Sequence, residues 1–335
     1  MAKDSEARGW WRRAGTPETG FTYLRVDGKP LRASAALARI RALAIPPAWT
    51  DVRISPDPAA KVQATGTDAA GRKQYRYHAD HLAKGSRRKY RKLLPYARAL
   101  PRLREATDAH LRGEGLTRER VLATVVRLIG RGFFRVGSER YAVRHKTFGI
   151  ATLQKKHVKV RGNDLLFRYV GKKSIDTRKV VADTPLVEVV EELLALPGRR
   201  LFRYVGDDGK PRNVTASEVN AYIREILGGE RFTSKDIRTW GGTVRAATIQ
   251  ADLGPPADAR EAKKNVVLAC KLVSTELGNT PAVCRSAYVH PVVLDRYLEG
   301  KTIAPFMRES PRPEDRAGRY YPEEAALMRF LEKWG

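Results

Sequence analysis

The 335-residue chain carries 64 Lys and Arg residues against 37 Asp and Glu residues, a formal net charge of +27, and 42% of its residues are hydrophobic. This length and hydrophobic fraction predict a globular protein of about two domains, and the charge predicts a polyanion as partner. Stretches of 18 or more apolar residues are absent, the N-terminus lacks the apolar core of a secretion signal, and two cysteines cannot build a zinc tetrad or a disulfide framework. We therefore expect an intracellular protein, and the charge alone leaves nucleic acid, an anionic membrane and a ribosomal assembly open as its partner.

The N-terminal region, residues 20 to 77, consists mostly of short runs in which apolar and polar residues alternate. The segment KVQATGTDAAGRKQYRYH predicts a β-hairpin whose turn lies near Asp68 and Gly71. One helix interrupts the strands, with Leu37 and Ile40 on one face. The pattern predicts a small antiparallel sheet.

A basic segment follows at residues 87–104, with the sequence RRKYRKLLPYARALPRLR. Its basic residues are interleaved with Leu and Tyr at helical spacing, so that one face of a helix could be buried while the other meets phosphates. A helix face that is merely solvated is the alternative.

Helical periodicity dominates the chain from about residue 91 onward. It predicts helices at residues 117–129, 258–277 and 323–334. Between the first two, HVKV, DLLFRYV and SIDTRKVVA are separated by RGND and GKKS, which predicts a three-stranded meander with tight turns. The chain is therefore predicted to be an α+β protein, with a small antiparallel β-sheet domain at residues 1–90 and a larger, mainly α-helical domain at residues 91–335.

Three segments place chemically useful side chains at predicted helix ends, although each is ordinary on its own. FFRVGSERY places Arg135 after two aromatic residues, where it could also cap the preceding helix. SKDIRTWGGT has Ser234 as its predicted N-cap, with Lys235 and Arg238 one turn apart. LGNTPAVCRSAYVHP contains a lone tyrosine, Tyr288, ahead of a Val-His-Pro turn.

The GKKS turn at residues 171–174 partly matches the end of a phosphate-binding loop. Such a loop needs a glycine where Leu166 stands and a Ser or Thr where Lys173 stands, so the pattern fails. The sequence therefore predicts no nucleotide site at this turn.

In their order and approximate spacing, RVGSERY, the GKKS turn, KDIRTWGGT and LGNTPAVCRSAYVHP resemble the type IB DNA topoisomerases, in particular their small poxvirus-like and bacterial branch. IPPAWTDVRI and QATGTDAAGRKQYRYH resemble the amino-terminal domain of that family, so the likeness spans roughly residues 20 to 300. Each pattern alone is weak, whereas the ordered set is specific. The resemblance implies that residues 91–335 form the catalytic fold that these enzymes share with tyrosine recombinases.

The resemblance implies cleavage of one DNA strand through a covalent 3′-phosphotyrosine, strand rotation and religation, which relaxes supercoils of either sign. By motif, the nucleophile is Tyr288, the phosphate-binding arginines are Arg135 and Arg238, the general acid is Lys172, and a further hydrogen-bond donor is Asn279. The ester energy is retained in the phosphotyrosine and the arginines neutralise charge, so the resemblance implies no ATP, no other cofactor and no metal ion.

Asn279 departs from many members of the superfamily, which have His at this position. A carboxamide can donate a hydrogen bond to a phosphate oxygen, but it cannot shuttle a proton near neutral pH. We expect Asn279 to bind the transition state and not to transfer protons.

The resemblance also implies DNA contacts. In the hairpin, Gln74, Tyr75 and Tyr77 match DNA-contacting positions of the viral relatives, and Tyr141 and Lys235 match phosphate-contacting positions. A tyrosine pair that only packs against a sheet is the alternative for the first domain. The implied partner is double-stranded DNA and not a membrane. We expect a monomer that clamps the duplex, located in the cytoplasm and associated with the nucleoid.

Two other functions remain open from the sequence. A tyrosine recombinase or integrase would share the catalytic fold, but such enzymes usually carry His-x-x-Arg where this chain has Lys235-Asp-Ile-Arg238, and a helical first domain. A non-catalytic DNA-binding protein could retain the fold without the chemistry.

Overall fold

The computed structural model describes residues 9–228, 232–309 and 320–335. The chain divides into two compact units, with the boundary between Lys89 and Tyr90. Each unit has its own buried hydrophobic residues.

The first unit is built on an antiparallel sheet. Its elements are β1 (Trp11–Thr16), β2 (Gly20–Leu24), α1 (Ser34–Ala42), β3 (Thr50–Ile54), β4 (Val62–Thr67) and β5 (Lys73–Tyr77), followed by α2 (Ala79–Arg91), which contains the boundary. Within the described residues, the strand order is β2-β1-β3-β4-β5 and every neighbouring pair is antiparallel. The predicted hairpin is confirmed as β4 and β5, since Asp68 accepts hydrogen bonds from the backbone N–H groups of Ala70 and Arg72 and closes the turn.

The second unit is mainly helical. Its helices are α3 (Leu93–Leu111), α4 (Arg118–Gly132), α5 (Glu139–His145), α6 (Thr184–Ala195), α7 (Ala216–Ile226), α8 (Ser234–Leu253), α9 (Ala259–Leu277), α10 (Pro281–Ala287), α11 (Pro291–Leu298), α12 (Ala304–Met307) and α13 (Pro322–Trp334). Its strands are β6 (Val158–Arg161), β7 (Asp164–Val170), β8 (Asp176–Ala182), β9 (Arg203–Val205) and β10 (Pro211–Asn213). The predicted fold class is therefore confirmed, including the three-stranded meander β6-β7-β8.

Helix α4 lies in the core of the second unit because its apolar residues recur at helical spacing. The residues of the predicted face are all fully or almost fully buried: Val121, Leu122, Val125, Leu128 and Ile129. Thr117 caps the N-terminus of α4 by accepting a hydrogen bond from Arg120 N at 3.2 Å. This fixed helix positions the segment that follows it, which begins at residue 133.

The last helix, α13, is tied to α3 and α8 by one buried carboxylate. Glu324 accepts two hydrogen bonds from Arg104, at 2.8 and 2.9 Å, and a third from Trp240 Nε1 at 3.1 Å. The C-terminal helix is thus a packing partner of α8, which carries one of the predicted catalytic arginines. Among the described residues, none of the helices combines the length and the apolar character that crossing a lipid bilayer requires.

Candidate active site

Arg135 is positioned by the way the chain leaves α4. Phe133 adopts a left-handed conformation with φ 52°, which ends the helix, and Phe134 is fully buried. The carbonyl of Arg135 then accepts a hydrogen bond from Ile150 N at 2.8 Å. The guanidinium of Arg135 donates to the carbonyl oxygen of Gly278 at 2.5 Å. The bond therefore runs to the end of α9, whereas the alternative interpretation placed Arg135 as a cap on α4.

Arg238 lies in the first turns of α8 and is only 3% exposed. Its guanidinium donates to the carbonyl of Phe133 and, at 3.0 Å, to that of Leu277. Burial lowers the pKa of Arg238, with Tyr288 acting in the opposite direction and Arg135 in the same direction, yet a guanidinium remains charged at any physiological pH. Arg238 therefore joins the end of α4 to the end of α9.

The start of α8 differs by one residue from the prediction. Thr233, not Ser234, is the N-cap: Asp236 Oδ2 accepts hydrogen bonds from Thr233 N at 2.8 Å and from Thr233 Oγ1 at 2.9 Å. Asp236 supplies the carboxylate of this reciprocal cap, which is why the first helical residue is Ser234. The change does not move Arg238 off the first turns of α8.

The C-terminus of α9 binds three cations through consecutive carbonyl oxygens. Lys179 donates to Glu276 O at 2.8 Å, and the next two carbonyls are those of Leu277 and Gly278 that Arg238 and Arg135 bind. The last carbonyls of a helix lack partners within the helix and lie at the negative end of its dipole, so cations are favoured there. We call this arrangement the carbonyl anchor: the carbonyls of residues 276–278 with the three cations bound to them.

Two glycines let α8 approach its neighbours. A Cβ atom on Gly241 would collide with the ring of Phe133, and one on Gly242 would lie 2.9 Å from the carbonyl oxygen of Tyr288. The Gly-Gly pair in TWGGT therefore allows α8 to contact both the Arg135 segment and the Tyr288 segment. A glycine pair inside a helix is the sequence signal of such close packing.

Tyr288 follows α10, and its backbone N–H donates to Cys284 O at 2.9 Å. Its carbonyl accepts a hydrogen bond from Thr243 Oγ1 at 3.2 Å, and His290 N donates to the same hydroxyl at 3.2 Å. The Tyr288 ring is partly buried, and the guanidinium carbon of Arg238 lies 5.2 Å from its centroid. The predicted nucleophile and a predicted phosphate-binding arginine are thus in direct contact.

Asn279 directly follows the carbonyl anchor. Its backbone N–H donates to Ser274 O at 3.0 Å, which fixes the residue against the last turn of α9. Both atoms of its side-chain amide are buried, and neither has a hydrogen-bond partner among the described residues. An unpaired buried amide costs about 1–3 kcal/mol, so Asn279 is a candidate for pairing with a group outside the described residues.

Lys172 is not joined to these residues. It lies exposed in the turn between β7 and β8, and no hydrogen bond or ion pair links it to the carbonyl anchor within the described chain. Lys173 and Ser174 in the same turn have φ of 63° and 57°, and Gly171 N donates to Ile175 O at 2.8 Å. The turn is therefore formed, with Lys172 at its tip.

Lys179 was missed by the sequence reasoning. It is partly buried, and its ammonium lies 5.6 Å from the ring centroid of Phe134. Burial lowers the pKa of Lys179 to about 8, with Arg238 and Arg135 acting in the same direction and Glu276 in the opposite one. A lysine at an inward position of a strand, between Thr177 and Val181, was the available signal.

Tyr169 on β7 is a second tyrosine close to the arginines. Burial raises its pKa to about 12, while Arg135 and Arg238 act in the opposite direction. Only 6% of Tyr169 is exposed, so it lines the interior side of the site and the more exposed Tyr288 remains the predicted nucleophile.

The predicted DNA contacts lie in both units. In the first unit, Gln74, Tyr75 and Tyr77 belong to β5, an edge strand, where the two tyrosine rings stack at 6.0 Å and Gln74 donates to Asp68 at 2.8 Å. In the second unit, Tyr141 is 38% exposed on α5 and Lys235 is exposed at the start of α8. These side chains are accessible or partly accessible, and their DNA roles stay predictions.

The described ranges contain no group of three or more His, Cys, Asp and Glu side chains that could hold a metal ion, so we assign no metal centre. The arrangement instead offers fixed positive charge, unpaired amide atoms and a phenol. Such a set can bind a phosphate and direct an oxygen nucleophile at it.

Comparison with known proteins gives two family matches. The family described as "Eukaryotic DNA topoisomerase I, catalytic core" matches residues 78–304, and that described as "Bacterial DNA topoisomerase IB, N-terminal domain" matches residues 20–68. A DNA topoisomerase 1B of Acanthamoeba polyphaga mimivirus is 32% identical over 284 residues, which is 83% of this chain and 84% of the relative.

More distant relatives are also found. A DNA topoisomerase I of Monkeypox virus and a DNA topoisomerase 1B of Vaccinia virus (strain Copenhagen) are each 21% identical over 69% of this chain and 70% of the relative. A solved structure of the XerH site-specific recombinase bound to difH substrate covers 57% of this chain and 49% of its own, with 15% identity and a TM-score of 0.38. That likeness is too distant to support a conclusion.

Gly149→Ala tests how closely two backbones must approach to position Arg135. The added Cβ would lie 2.5 Å from both the carbonyl oxygen of Arg135 and the backbone nitrogen of Gly137. We expect the variant to lose about 1–3 kcal/mol of unfolding free energy in urea titrations, because the two segments must separate. The matched control is Gly130→Ala in α4, where the nearest atom would be at 3.9 Å; a gain of up to about 1 kcal/mol is expected there. Equal stability changes in the two variants would contradict the packing argument.

Lys179→Met tests the electrostatic cost of the buried lysine. The folded-state pKa of about 8 lies below the ordinary value of 10.5, so the folded protein releases this proton at lower pH than the unfolded chain does. Below pH 8 Lys179 is protonated in both the folded and the unfolded state, so the full cost of burying its charge lowers the stability of the folded protein. Between pH 8 and 10.5 the folded protein loses this proton while the unfolded chain keeps it, and the cost is relieved. The unfolding free energy of wild type minus that of the variant should therefore rise by about 3 kcal/mol across the window, measured by urea unfolding at a series of pH values.

The control for this measurement is Lys159→Met, which removes one exposed positive charge from β6 of the same sheet. A wild-type-minus-Lys179→Met difference that stays flat or falls with rising pH would show that the lysine carries no such cost.

Proposed function

This chain belongs to the type IB DNA topoisomerases, a family of isomerases, and we propose that it relaxes positive and negative supercoils by transient cleavage of one DNA strand through a 3′-phosphotyrosine at Tyr288. The observation that carries the proposal is that Arg135 and Arg238 both bind the end of α9 and that the Tyr288 ring lies beside Arg238.

The first step of the proposal is phosphate binding. Attack on a phosphodiester spreads negative charge over its non-bridging oxygens, and planar guanidiniums that are already fixed in place stabilise that charge without reorganisation. Arg135 donates to one main-chain carbonyl and Arg238 to two, which uses part of the donor set of each guanidinium and leaves further N–H groups for a phosphate. Loss of one such donor typically costs about 3–4 kcal/mol of transition-state stabilisation.

The second step is nucleophilic attack. The Tyr288 hydroxyl releases its proton to solvent and its oxygen forms a bond to phosphorus while the bond from phosphorus to the 5′ oxygen breaks, so one phosphate ester replaces another. A free tyrosine, with a pKa of about 10, is a weak nucleophile at neutral pH. The guanidinium carbon of Arg238 lies 5.2 Å from the centroid of the Tyr288 ring, so a fixed positive charge stands beside the group that attacks and beside the phosphate on which negative charge develops.

Asn279 completes phosphate recognition in this proposal. Its amide is buried and unpaired among the described residues, and the amide N–H₂ can donate to a non-bridging oxygen. Binding DNA then removes the cost of the unpaired group, so the interaction favours the bound state.

Lys172 is proposed to protonate the departing 5′ oxygen. It lies exposed at the β7–β8 turn and contacts none of the other proposed catalytic residues within the described chain. Catalytic hydrogen bonds commonly form only in the complex with substrate, so this geometry is compatible with the role. In religation, the 5′ hydroxyl attacks phosphorus, the phenolate leaves, and the proton returns to lysine.

The proposal requires neither ATP nor a metal ion. The ester energy is retained in the phosphotyrosine, and guanidiniums supply the charge neutralisation that metal ions provide in other phosphoryl-transfer enzymes. Between cleavage and religation, the downstream duplex rotates about the intact strand. We propose that the protein acts on double-stranded DNA, which the charge of +27 supports, and that it does so as a monomer. The proposed DNA contacts are Gln74, Tyr75, Tyr77, Tyr141 and Lys235.

Tyr288→Phe is expected to abolish plasmid relaxation in the presence of EDTA and absence of ATP, because the attacking oxygen is removed. Salt-sensitive duplex binding should remain near wild type, since the ring and the basic surface are unchanged. The matched control is Tyr321→Phe, which removes a hydroxyl from a tyrosine that is 44% exposed in the same unit. Relaxation by the Tyr288 variant would refute the nucleophile assignment, and absence of a denaturant-stable protein–DNA adduct with wild type would refute the covalent mechanism.

Lys172→Ala is expected to slow cleavage of ordinary DNA by about 10²–10⁴-fold, the usual contribution of a general acid. Cleavage of DNA whose 5′ leaving group is a thiol should be slowed much less, because a thiolate leaves without a proton. Single-turnover adduct formation on both substrates measures this, with Lys173→Ala in the same turn as control. Equal slowing on both substrates would remove the general-acid role from Lys172.

A further inference from the structure

We propose that Lys179 is a positioning residue for the general acid. It binds β8 to the end of α9, and it thereby fixes the position of the β7–β8 turn, which carries Lys172, relative to the guanidiniums of Arg135 and Arg238. The inference rests on the proposed function, and it assigns a role to a residue that none of the sequence motifs includes.

Lys179 connects two parts of the site that otherwise belong to different elements. Its side chain is on the inward face of β8, between Thr177 and Val181, whereas Arg178 is exposed on the outward face. From this face its ammonium reaches Glu276 O at 2.8 Å. Lys179 is therefore the cation of the carbonyl anchor that the sheet supplies, whereas Arg238 comes from α8 and Arg135 from the segment after α4.

An inward lysine at this place is electrostatically unfavourable, so packing alone does not explain it. Burial and the charges of Arg238 and Arg135 disfavour its ammonium, and among the charged groups that face it Glu276 acts in the opposite direction. The nearby Tyr169 is itself buried. A methionine would fill similar space without this penalty, whereas only a donor can bind the carbonyl of α9.

The β7–β8 ladder transmits the position of Lys179 to the turn. Lys179 pairs with Phe167, and the paired residues continue to Val170 and Asp176 at the last rung. Beyond that rung the turn is closed by the hydrogen bond from Gly171 N to Ile175 O. Lys172 follows Gly171 directly, so its direction is set by the ladder that Lys179 attaches to α9.

The alternative is that Lys179 acts on the phosphate itself, as one more positive charge beside the arginines. The two roles differ in which bond they affect. A positioning role acts on proton delivery to the 5′ oxygen, whereas a charge role acts on the phosphate whichever group departs.

The leaving-group comparison separates these roles. In the full-length protein, Lys179→Met should slow single-turnover cleavage of ordinary duplex DNA by about 10–100-fold, the effect of misplacing a catalytic group by about 1 Å. Cleavage of the same duplex with a 5′-bridging thiol should stay near the wild-type rate. Lys179→Arg keeps a cationic donor and should restore much of the rate on ordinary DNA. Lys159→Met, which removes an exposed charge from the same sheet, controls for general weakening of DNA attraction.

A double-mutant cycle gives the second readout. If Lys179 acts through Lys172, the Lys172→Ala/Lys179→Met protein is no slower on ordinary DNA than Lys172→Ala alone, because the group being positioned is already gone. Thermal melting and duplex binding of each variant show that the proteins are folded. If melting shows that Lys179→Met is unfolded, the same cycle and substrates are applied to Lys179→Gln.

The outcomes separate the two claims. Equal slowing of ordinary and thiol substrates by Lys179→Met, or effects that multiply in the double mutant, would overturn the positioning role while leaving the proposed function intact. Failure of the wild-type protein to form any DNA adduct would overturn the proposed function and this inference together.

Discussion

Mutual repulsion among positive charges is the constraint that the site has to satisfy. Arg135, Arg238 and Lys179 lie close enough that the arginines lower the pKa of the lysine, and burial adds to the cost. The end of α9 resolves this conflict, because its terminal carbonyls need partners and carry the negative end of the helix dipole. Each cation takes one carbonyl, and the charges are held apart at the spacing of successive residues. A phosphate then meets cations whose positions are already fixed.

Helix α8 contacts α9, α13 and the segments that carry Arg135 and Tyr288, and so links the carbonyl anchor to the rest of the second unit. Arg238 reaches α9, Trp240 is held by Glu324 of α13, and Gly241 and Gly242 admit the segments that carry Arg135 and Tyr288. Thr243, about one turn beyond Trp240 along α8, binds the backbone carbonyl of Tyr288. The side chains that matter for chemistry are therefore placed by contacts of a rigid helix with its neighbours, and not by flexible loops alone.

Much of the fold could be predicted because periodicity directly reports burial: the α4 face, the meander and the β4–β5 hairpin follow from apolar spacing and turn residues. The motifs identified residues that the structure brings together, namely Arg135, Arg238, Asn279 and Tyr288, although their roles remain proposals. The carbonyl anchor could not be predicted, because main-chain oxygens are present at every position and have no sequence signature. Lys179 had a signal, an inward lysine on a strand, but strand alternation alone does not tell what such a side chain reaches. The N-cap of α8 was misplaced because Thr233 and Ser234 are both good caps, and only the reach of Asp236 decides between them.

The use of backbone oxygens as anchors has an evolutionary consequence. Substitution at residue 276 or 277 changes a side chain but leaves the oxygen that holds the cation, so cation binding itself does not select the side chain at either position. Leu277 is constrained separately, as a fully buried side chain of the core, and Gly278 is constrained by its backbone, with φ 63° and with Arg135 Nη1 3.3 Å from where a Cβ would lie. The carbonyl anchor therefore depends on residue identity at Gly278 and at its three cations, and on backbone geometry alone for the oxygens that bind them.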